Sequence, residues 1–501
     1  NMPKVYAQQA RQIIDKLCGF SICPLLWKQI KGSLSAGRVQ SMAARLAIER
    51  EKNINQFESE GFYKVNGTFL HDKTNKSIEA FLSDNFKDKD IALKKLELFD
   101  DSIFKIAGIT KNKTKRKPQP PFITSSLQQE AGKRFGYSAK QTMNIAQKLY
   151  EGGHITYHRT DCVNLSKDII PSINKFIETN YGKDYINNIA YKTKGKNAQE
   201  AHEAIRPTNI EKVKKMAKDE EKLYTIIFNR TVASQMAPME VEITTIKIDI
   251  SNCNEEFITK VEKTLFPGFS AIYKPIQDDD ENNENVSDTN IGTILKNLKK
   301  NDTLHYKKII ASEKFTKPNG RYNEPGLIKK MEDLGIGRPS TYANIIDKIQ
   351  EREYVKKDSK IGKEVDLNIL SLSKGNIKEE VKKQKTEAEK NKLFPTDIGI
   401  LVDNFLNENF GHILNYELTA KVEKELDMIA NSKIKSNKVI ADFYNELKPT
   451  LIKLQKEKSK TNTGKRLLGT DENNNNIYAL VAKYGPAVQL EAKHISDNKY
   501  A

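Results

Sequence analysis

Two β-rich segments separated by a helical segment constrain the fold of this chain more than any other feature of its sequence. Short strand-like runs occur within residues 62–109, and alternating apolar residues begin a second β-rich stretch at 240–310. Between them, residues 118–237 follow helical periodicity. We therefore infer one β-rich domain with a helical domain inserted into it.

The rest of the chain is predicted to be mainly helical. Apolar residues recur at helical spacing over 6–49 and again over 324–454, and an acidic turn is predicted at 278–285. Residues 456–465 are typical of a linker, and short strands on either side of 471–476 indicate the start of a small β module. The predicted boundaries are helical 1–56, β-rich 57–117, helical 118–240, β-rich 241–312, helical 313–455, and linker with β module 456–501.

Charge and composition narrow the class of protein. The 501 residues include 83 lysines and arginines against 66 acidic residues, a formal net charge of +17. An excess of this size favours a polyanionic partner such as nucleic acid, although lysine on solvated faces of a Lys-rich protein is a simpler interpretation. The four cysteines form no C-x-x-C pair, so neither a disulfide framework nor a zinc site is predicted. Without a long apolar run, we expect a cytoplasmic protein that does not bind membranes.

One segment contains the residues for nucleophilic chemistry. It reads Gly153-His154-Ile155-Thr156-Tyr157-His158-Arg159-Thr160-Asp161, and its position after a helix stop predicts a short strand. Alternate side chains of a strand share a face, so Tyr157, Arg159 and Asp161 are expected to project together. A phenol attacks poorly at neutral pH unless a cation such as Arg159 stabilises the developing charge. A simpler interpretation is an edge-strand tyrosine beside a solvated arginine.

This segment resembles the active-site signature of type IA topoisomerases, usually written I-T-Y-M-R-T-D-S. The matching residues are Ile155, Thr156, Tyr157, Arg159, Thr160 and Asp161, whereas His158 replaces the usual methionine and Cys162 the usual serine. The resemblance implies that Tyr157 is the nucleophile that breaks and rejoins one DNA strand, with Arg159 as its catalytic partner. A phosphotyrosine conserves the energy of the broken bond, so resealing needs no ATP.

A second block resembles the DNA-contacting motif of the same family. It comprises Ser35, Ala36, Gly37, Arg38, Val39 and Gln40, where backbone N–H groups at a helix start can approach a phosphate and Arg38 adds charge. By itself, the block is also typical of an ordinary helix with Ser35 as its N-cap. The resemblance places further strand contacts on Arg11, Gln12, Asp15, Phe20 and Trp27. Trp27 would stack on a base, or simply fill the core.

Two more blocks match in the same order along the chain. Residues 201–208 resemble the family segment A-H-E-A-I-R-P, in which His202 lies near the cleavage site as a phosphate contact. Residues 334–342 resemble the block G-I-G-R-P-S-T-Y, where Arg338 and Thr341 would hold the DNA backbone. A satisfied structural histidine and a Gly-rich turn before a helix at 341–351 are the simpler interpretations. The fixed order of four blocks favours the family.

The resemblance implies a multidomain α+β fold, a torus of helical domains and a β-rich arch. In this family Mg²⁺ is bound by an N-terminal Toprim domain, whose acidic motif is not found in the sequence. Asp88-Lys89-Asp90 and the acidic run at 278–281 are interpreted as solvated loops. Met2-Pro3 runs directly into helical sequence, so we expect the chain to begin inside a larger protein, and we predict no metal bound by the chain itself.

The sequence therefore predicts a monomeric type IA topoisomerase that relaxes negatively supercoiled DNA and acts on single-stranded segments. The alternative is a single-stranded DNA-binding fragment without catalysis, because the Toprim metal site is missing. A tyrosine recombinase or type IB enzyme would also use a phosphotyrosine. That class needs an Arg…His-x-x-Arg…Tyr constellation, whereas His202 and Arg206 have the wrong spacing and follow Tyr157.

Overall fold

The structure is a computed structural model that describes residues 2–30, 32–72, 76–191, 203–210, 216–274 and 298–456, with short pieces between 466 and 500. The helices are α1 (Met2–Gln29), α2 (Arg38–Gln56), α3 (Lys89–Asp100), α4 (Thr124–Phe135), α5 (Ala139–Glu151), α6 (Ile170–Tyr181), α7 (Lys218–Ser234), α8 (Glu324–Asp333), α9 (Tyr342–Glu351), α10 (Asp397–Phe410), α11 (Tyr416–Ala430) and α12 (Ser436–Lys456).

The strands fall into three sheets. They are β1 (Gly61–His71), β2 (Ser77–Leu82), β3 (Phe104–Arg116), β4 (Met239–Ile250), β5 (Glu256–Phe266), β6 (Thr303–Phe315), β7 (Val355–Lys360), β8 (Lys363–Ser373), β9 (Asn376–Thr386), β10 (Glu389–Pro395), β11 (Arg466–Thr470), β12 (Asn476–Ala482), β13 (Gly485–Leu490) and β14 (Lys499–Tyr500).

The largest sheet joins strands from both β-rich segments. Its order is β1-β2-β5-β4-β3-β6-β8-β9, and a further pairing of β1 with β6 closes six of the strands into a barrel. Closure leaves no free edge among these six strands, and their inward side chains form a core around Phe69, Phe104 and Phe257. The rings of Phe69 and Phe257 meet edge to face at 4.9 Å. The inserted helical segment therefore leaves the sheet after β3 and returns to it at β4, while the six domain boundaries stay predictions.

The helical prediction for residues 324–454 was wrong in its middle. Strands β7 to β10 occupy 355–395, where β7 pairs with β10 and β8 forms a hairpin with β9. The apolar alternation of Val365, Leu367 and Ile369 already has the two-residue period of a strand, but the surrounding lysines obscure it. Helix α3 was also missed. Asp88 accepts a hydrogen bond from the Ile91 amide as its N-cap, so Asp88 and Asp90 begin a helix rather than a loop.

Residues far apart in sequence share one helical core. Helices α1 and α2 pack against α8 to α12 around buried residues such as Ile14, Met42, Phe405 and Phe410. The inserted segment has its own cores. One is built from α4, α5 and α7, and another from α6 and the end of α7.

Three polar contacts connect the inserted segment to α8 and α9. Ser125 Oγ donates to Glu332 at 2.7 Å, the Ala139 amide donates to the buried Glu324 at 2.9 Å, and Lys140 pairs with Asp347 at 2.7 Å. The contact with Glu324 satisfies an amide in the first turn of α5, which the helix itself cannot pair. Carboxylates of α8 and α9 thus contact the inserted segment at three points, and Ala139 of α5 also packs into the helical core.

Near the end of the described chain, β11 to β14 form a four-stranded antiparallel sheet. That these strands begin a repeated module stays a prediction. The predicted acidic turn at 278–285 lies outside the described residues, as does the linker apart from Lys456. None of the described helices is long and apolar enough to cross a membrane.

Gly399 provides a test of the helical core. A β carbon at this position would lie 2.2 Å from the Tyr354 carbonyl oxygen, a backbone atom that cannot move without disturbing the start of α10. We expect Gly399→Ala to cost about 1–3 kcal/mol and to lower the melting temperature measured by circular dichroism. Gly19→Ala is the control, because an added β carbon in α1 meets nothing within 4 Å and alanine favours a helix. A melting temperature of Gly399→Ala at or above that of Gly19→Ala would contradict the packing.

Candidate active site

Tyr157 lies on a loop after α5, not on a strand. Within residues 153–161 only Ile155 makes a bridge, to Pro207, so the predicted strand is wrong. Gly153, at a φ of 69°, turns the chain out of the helix, and the His154 amide then donates to the Leu149 carbonyl. The chain beyond the turn is extended but lacks a neighbouring strand with which to pair.

The loop is fixed on both sides of the tyrosine. Before it, the Thr156 hydroxyl donates to the Ala204 carbonyl at 2.7 Å and accepts from the Arg206 amide at 3.0 Å. After it, the Thr124 hydroxyl donates to the His158 carbonyl at 2.8 Å and accepts from the Thr160 amide at 2.9 Å. Two threonines therefore hold the backbone around Tyr157, and neither was singled out as a brace from the sequence.

The expected common face of the three functional side chains is present without a strand. Tyr157, Arg159 and Asp161 are exposed, whereas His158 and Thr160 between them are buried. Extended backbone alone places alternate side chains on opposite sides, which explains why the two-residue spacing survives. A phenol that is 42% exposed, with an exposed guanidinium two residues away, can meet a phosphodiester from solvent.

His158 is completely buried next to the tyrosine. Its ring centroid lies 5.3 Å from that of Tyr157 and 5.9 Å from that of Tyr150. Neither ring nitrogen has a hydrogen-bond partner among the described residues. Burial lowers the pKa of His158 to about 4, and the charge of Arg159 acts in the same direction. The ring is thus neutral at pH 7 and serves as packing where an apolar side chain would be expected.

His202 lies outside the described residues, so its predicted role stays a prediction. The part of its segment that is described has a clear structural role. Arg206 forms a bidentate pair with Glu203 at 2.9 and 3.0 Å, and the backbone of Ala204 and Arg206 contacts Thr156. The described part of this segment therefore contacts the tyrosine loop. The order of the motifs along the sequence could not show this contact.

A groove runs along the exposed side of α1. We call it the α1 groove; its volume is about 830 Å³, and its lining includes Gln12, Asp15, Lys16, Phe20, Trp27, Ser35, Ala36, Gln40 and Arg352. Phe20 is 77% exposed and Trp27 is 51% exposed, so Trp27 does not fill the core. Arg352, at the end of α9, was missed because nothing in its local sequence distinguishes it from other exposed cations.

The floor of the α1 groove is the segment that leads into α2. Tyr354 Oη accepts from the Ser35 amide at 2.8 Å and donates to the Ser35 carbonyl at 2.7 Å, and Trp27 Nε1 donates to Leu34 at 2.6 Å. Gly37, not Ser35, is the N-cap of α2, and no side chain caps the helix. The N-cap interpretation of Ser35 is therefore wrong. Ser35 Oγ and Gln40 Nε2 are buried without a partner in the described chain.

Arg38, which was predicted to add charge at a phosphate site, is almost completely buried, and its contact with DNA stays a prediction. Its side chain is 1% exposed, and Nη2 donates to Glu423 Oε1 at 2.6 Å. Arg11 Nη1 contacts both oxygens of the same carboxylate at 2.8 and 2.7 Å, and Arg338 Nη1 lies 3.5 Å from it. The positive charge of Arg38 at the start of α2 is thus paired with Glu423 inside the protein. Val39, the next residue of the motif, is half-buried against the helical core.

The Glu423 cluster comprises Arg11, Asp15, Arg38, Arg338, Glu423 and Asp427. Asp15 Oδ1 lies 3.6 Å from Arg38 Nε, and Asp427 Oδ2 accepts from Arg338 Nη2 at 2.6 Å. Sequence reasoning missed Glu423, although an acidic residue between Thr419, Val422 and Leu426 on the buried face of α11 requires a charged partner. Three of the predicted contact residues, Arg11, Arg38 and Arg338, converge on this one carboxylate, and Asp15 contacts Arg38.

Thr341 closes the turn before α9. Its hydroxyl accepts from the Arg338 amide at 2.9 Å and donates to the Arg338 carbonyl at 3.0 Å, and Gly335 and Gly337 have positive φ. The predicted contacts of Arg338 and Thr341 with DNA stay predictions. Burial raises the pKa of Tyr342, and the nearby carboxylates of Glu332 and Asp161 act in the same direction. The turn therefore lies close to the tyrosine loop.

The described residues contain no group of three or more His, Cys, Asp or Glu side chains that would hold a metal ion. They do not fit Mg²⁺.

Comparison with known proteins identifies the chain. A family model described as DNA topoisomerase matches residues 1–388. A prokaryotic-type DNA topoisomerase 1 of Acanthamoeba polyphaga mimivirus is 39% identical over 97% of this chain and 61% of that protein. DNA topoisomerase 1 of Rickettsia felis is 40% identical over 88% of this chain and 55% of that protein. The chain thus spans between 55% and 61% of the length of these two relatives.

The fold agrees with these relatives. The structure of full-length topoisomerase I from Thermotoga maritima matches 99% of this chain and 76% of its own length, with a TM-score of 0.77 and 28% identity. This match over nearly the whole chain, together with the family model, supports the class of type I DNA topoisomerases. The chain belongs to the DNA topoisomerase family, among relatives named DNA topoisomerase 1 of prokaryotic type, which confirms the resemblance read from its motifs.

The buried His158 predicts a pH dependence of stability. Its pKa is lower in the folded chain than in the unfolded chain, so the unfolded state takes up a proton first as the pH falls below about 6.5. The contribution of neutral His158 to the free energy of unfolding is fully present above that pH and is lost toward pH 4. The loss is roughly 2 kcal/mol between pH 7 and pH 5. We expect urea denaturation of His158→Met to show a weaker loss over the same range. Equal slopes for the two proteins would contradict a neutral buried His158.

Proposed function

We propose that this chain is the strand-binding and strand-cleaving part of a type IA DNA topoisomerase, which relaxes negatively supercoiled DNA without ATP. The observation that carries the proposal is the exposed Tyr157 beside Arg159, on a loop braced by Thr156 and Thr124. A braced loop presents the nucleophile in a fixed position, which reduces the entropy lost when a phosphodiester binds. Membership of the DNA topoisomerase family supports DNA as the substrate.

The proposed reaction is a reversible transesterification. The Tyr157 hydroxyl loses its proton as its oxygen forms a bond to phosphorus, the bond from phosphorus to the 3′ oxygen breaks, and the 3′ oxygen takes up a proton to become a hydroxyl. Arg159 would stabilise the negative charge that develops on the phosphate. The 5′-phosphotyrosine keeps the energy of the phosphodiester, so attack by the same 3′ hydroxyl restores the strand. His202 would be a further phosphate contact.

Mg²⁺ and the general acid of this reaction are proposed to come from a Toprim domain of the full-length enzyme. Since the described residues do not fit the ion, we place no step of the chemistry on it. The same observation favours a second candidate function, in which the chain by itself binds single-stranded DNA without cleaving it.

The α1 groove is proposed to bind the single strand. Phe20 and Trp27 expose aromatic faces on which bases can stack, and Lys16 and Arg352 supply positive charge near the backbone. Ser35 Oγ and Gln40 Nε2 are buried polar atoms without a partner among the described residues, and no side chain caps the start of α2, so these groups can bind a phosphate. Gln12 and Asp15 line the same groove. Bases that stack on aromatic rings need few base-specific contacts, so the α1 groove would accept single strands of varied sequence.

Tyr157→Phe tests the nucleophile. Loss of the hydroxyl removes the attacking oxygen, so relaxation of negatively supercoiled plasmid, assayed with Mg²⁺ and a Toprim domain supplied separately, should fall by at least about a thousandfold. Tyr150→Phe is the matched control, since its ring lies 5.2 Å from that of Tyr157 and is 40% exposed, and its activity should stay within about twofold of wild type.

Relaxation by Tyr157→Phe at the wild-type rate would contradict the proposal. A wild-type chain that binds single strands yet relaxes no plasmid, whether or not the Toprim domain is present, would favour the second candidate. Relaxation only when the Toprim domain is present would support the first.

Phe20→Ala tests the groove. Truncation of a 77% exposed ring costs little stability, while loss of one stacked base should weaken binding of a fluorescent single-stranded oligonucleotide by about 10- to 100-fold. Ile13→Ala is the control, because Ile13 is an exposed apolar residue of α1 that is not part of the groove lining. Equal affinities of the two variants would place the strand elsewhere.

A further inference from the structure

Glu423 joins three arginines that come from distant parts of the chain. Arg11 lies on α1, Arg38 begins α2, and Arg338 lies in the turn before α9, whereas Glu423 lies on α11. The Glu423 side chain is fully buried and contacts all three guanidinium groups, at 2.7 Å for Arg11, 2.6 Å for Arg38 and 3.5 Å for Arg338. One carboxylate thus fixes the relative positions of three cations.

The cluster balances its charges. Its three arginines face Glu423, Asp427 and Asp15, and backbone carbonyls complete the contacts: Arg38 Nη1 donates to Thr419 at 3.2 Å and Arg338 Nη2 to Glu423 at 3.0 Å. Burial by itself would raise the pKa of Glu423, but Arg38, Arg11 and Arg338 together hold it below its ordinary value. The carboxylate is therefore ionised at neutral pH, as a buried guanidinium requires.

The cluster adjoins the α1 groove. Asp15 lines the groove and belongs to the cluster, and Arg38 lies between the groove residues Ala36 and Gln40. Arg11 and Arg338 keep about a fifth of their side-chain surface exposed, at 20% and 23%, while Arg38 keeps 1%. Arg11 and Arg338 are thus bound to Glu423 yet are not fully enclosed, whereas Arg38 is.

We propose that Glu423 is a positioning residue for the DNA strand: it holds Arg11 and Arg338 with their open sides toward the strand and Arg38 as a buried support. The inference rests on the proposed function of the groove. A guanidinium already fixed by a buried carboxylate loses little side-chain entropy when it binds a phosphate or a base. Without the carboxylate, three like charges repel one another and Arg38 is left as a buried cation without its main partner.

Glu423→Gln separates positioning from simple charge. The substitution keeps the size of the side chain and raises the net charge by one, so a purely electrostatic effect would tighten binding of single-stranded DNA. Positioning predicts the reverse, a loss of at least about tenfold in affinity at fixed ionic strength. Glu423→Asp keeps the charge on a shorter stem and is expected to bind between the two, about threefold weaker than wild type.

Asp403→Asn is the matched control. Asp403 is likewise a buried carboxylate that pairs with a buried arginine, Arg45, at 2.7 Å, but among the described residues this pair has no ion pair with a groove residue, whereas Arg38 of the Glu423 cluster contacts the groove residue Asp15. Its loss should lower the melting temperature without changing DNA affinity. All affinities are measured by fluorescence anisotropy of a labelled single-stranded oligonucleotide, at a temperature where circular dichroism shows each variant to be folded.

The outcomes separate the two proposals. Wild-type protein that fails to bind the oligonucleotide contradicts the proposed function itself. Wild-type binding together with wild-type or tighter affinity of folded Glu423→Gln overturns the role of Glu423, as does an equal loss in Asp403→Asn. Should Glu423→Gln not fold, Glu423→Asp decides, and wild-type affinity of that variant overturns the inference.

Discussion

The buried carboxylate of Glu423 is the interaction on which the organisation of this chain depends most. It lies on α11 and binds Arg11 and Arg38, which are 412 and 385 residues away along the chain, and Arg338, which is 85 residues away. Hydrophobic packing around Met42 and Phe405 brings these helices together, but apolar contacts do not fix the direction of a guanidinium group. The ion pairs with Glu423 add that direction, and the α1 groove lies beside them.

On the inserted segment, polar contacts likewise fix the position of the tyrosine loop. Thr156 and Thr124 hold the backbone on either side of Tyr157, and the buried neutral ring of His158 packs beneath it. Extended backbone then exposes Tyr157 and Arg159 together. Contacts of Ser125 and Ala139 with carboxylates of α8 bring the inserted segment against the helical core.

Motif spacing in the sequence predicted the exposure of Tyr157 and Arg159 on one side better than the secondary structure on which they lie. Tyr157 and Arg159 do share a face, because that requires only extended backbone. The strand was wrong, because strand formation depends on a partner that local sequence does not specify. The burial of Arg38 could not be predicted, because its partner Glu423 is 385 residues away. The two β-rich segments were recognisable from apolar alternation, whereas the lysine-rich β8 and β9 were not.

We propose that Tyr157 becomes covalently attached to DNA during the reaction. The most direct test of this attachment is to incubate the chain, with Mg²⁺ and a Toprim domain, with a single-stranded oligonucleotide, denature the mixture, digest it, and map the modified peptide by mass spectrometry. We expect a 5′-phosphoryl nucleotide on the peptide that contains Tyr157. A nucleotide on another residue, such as the neighbouring Tyr150, would contradict it.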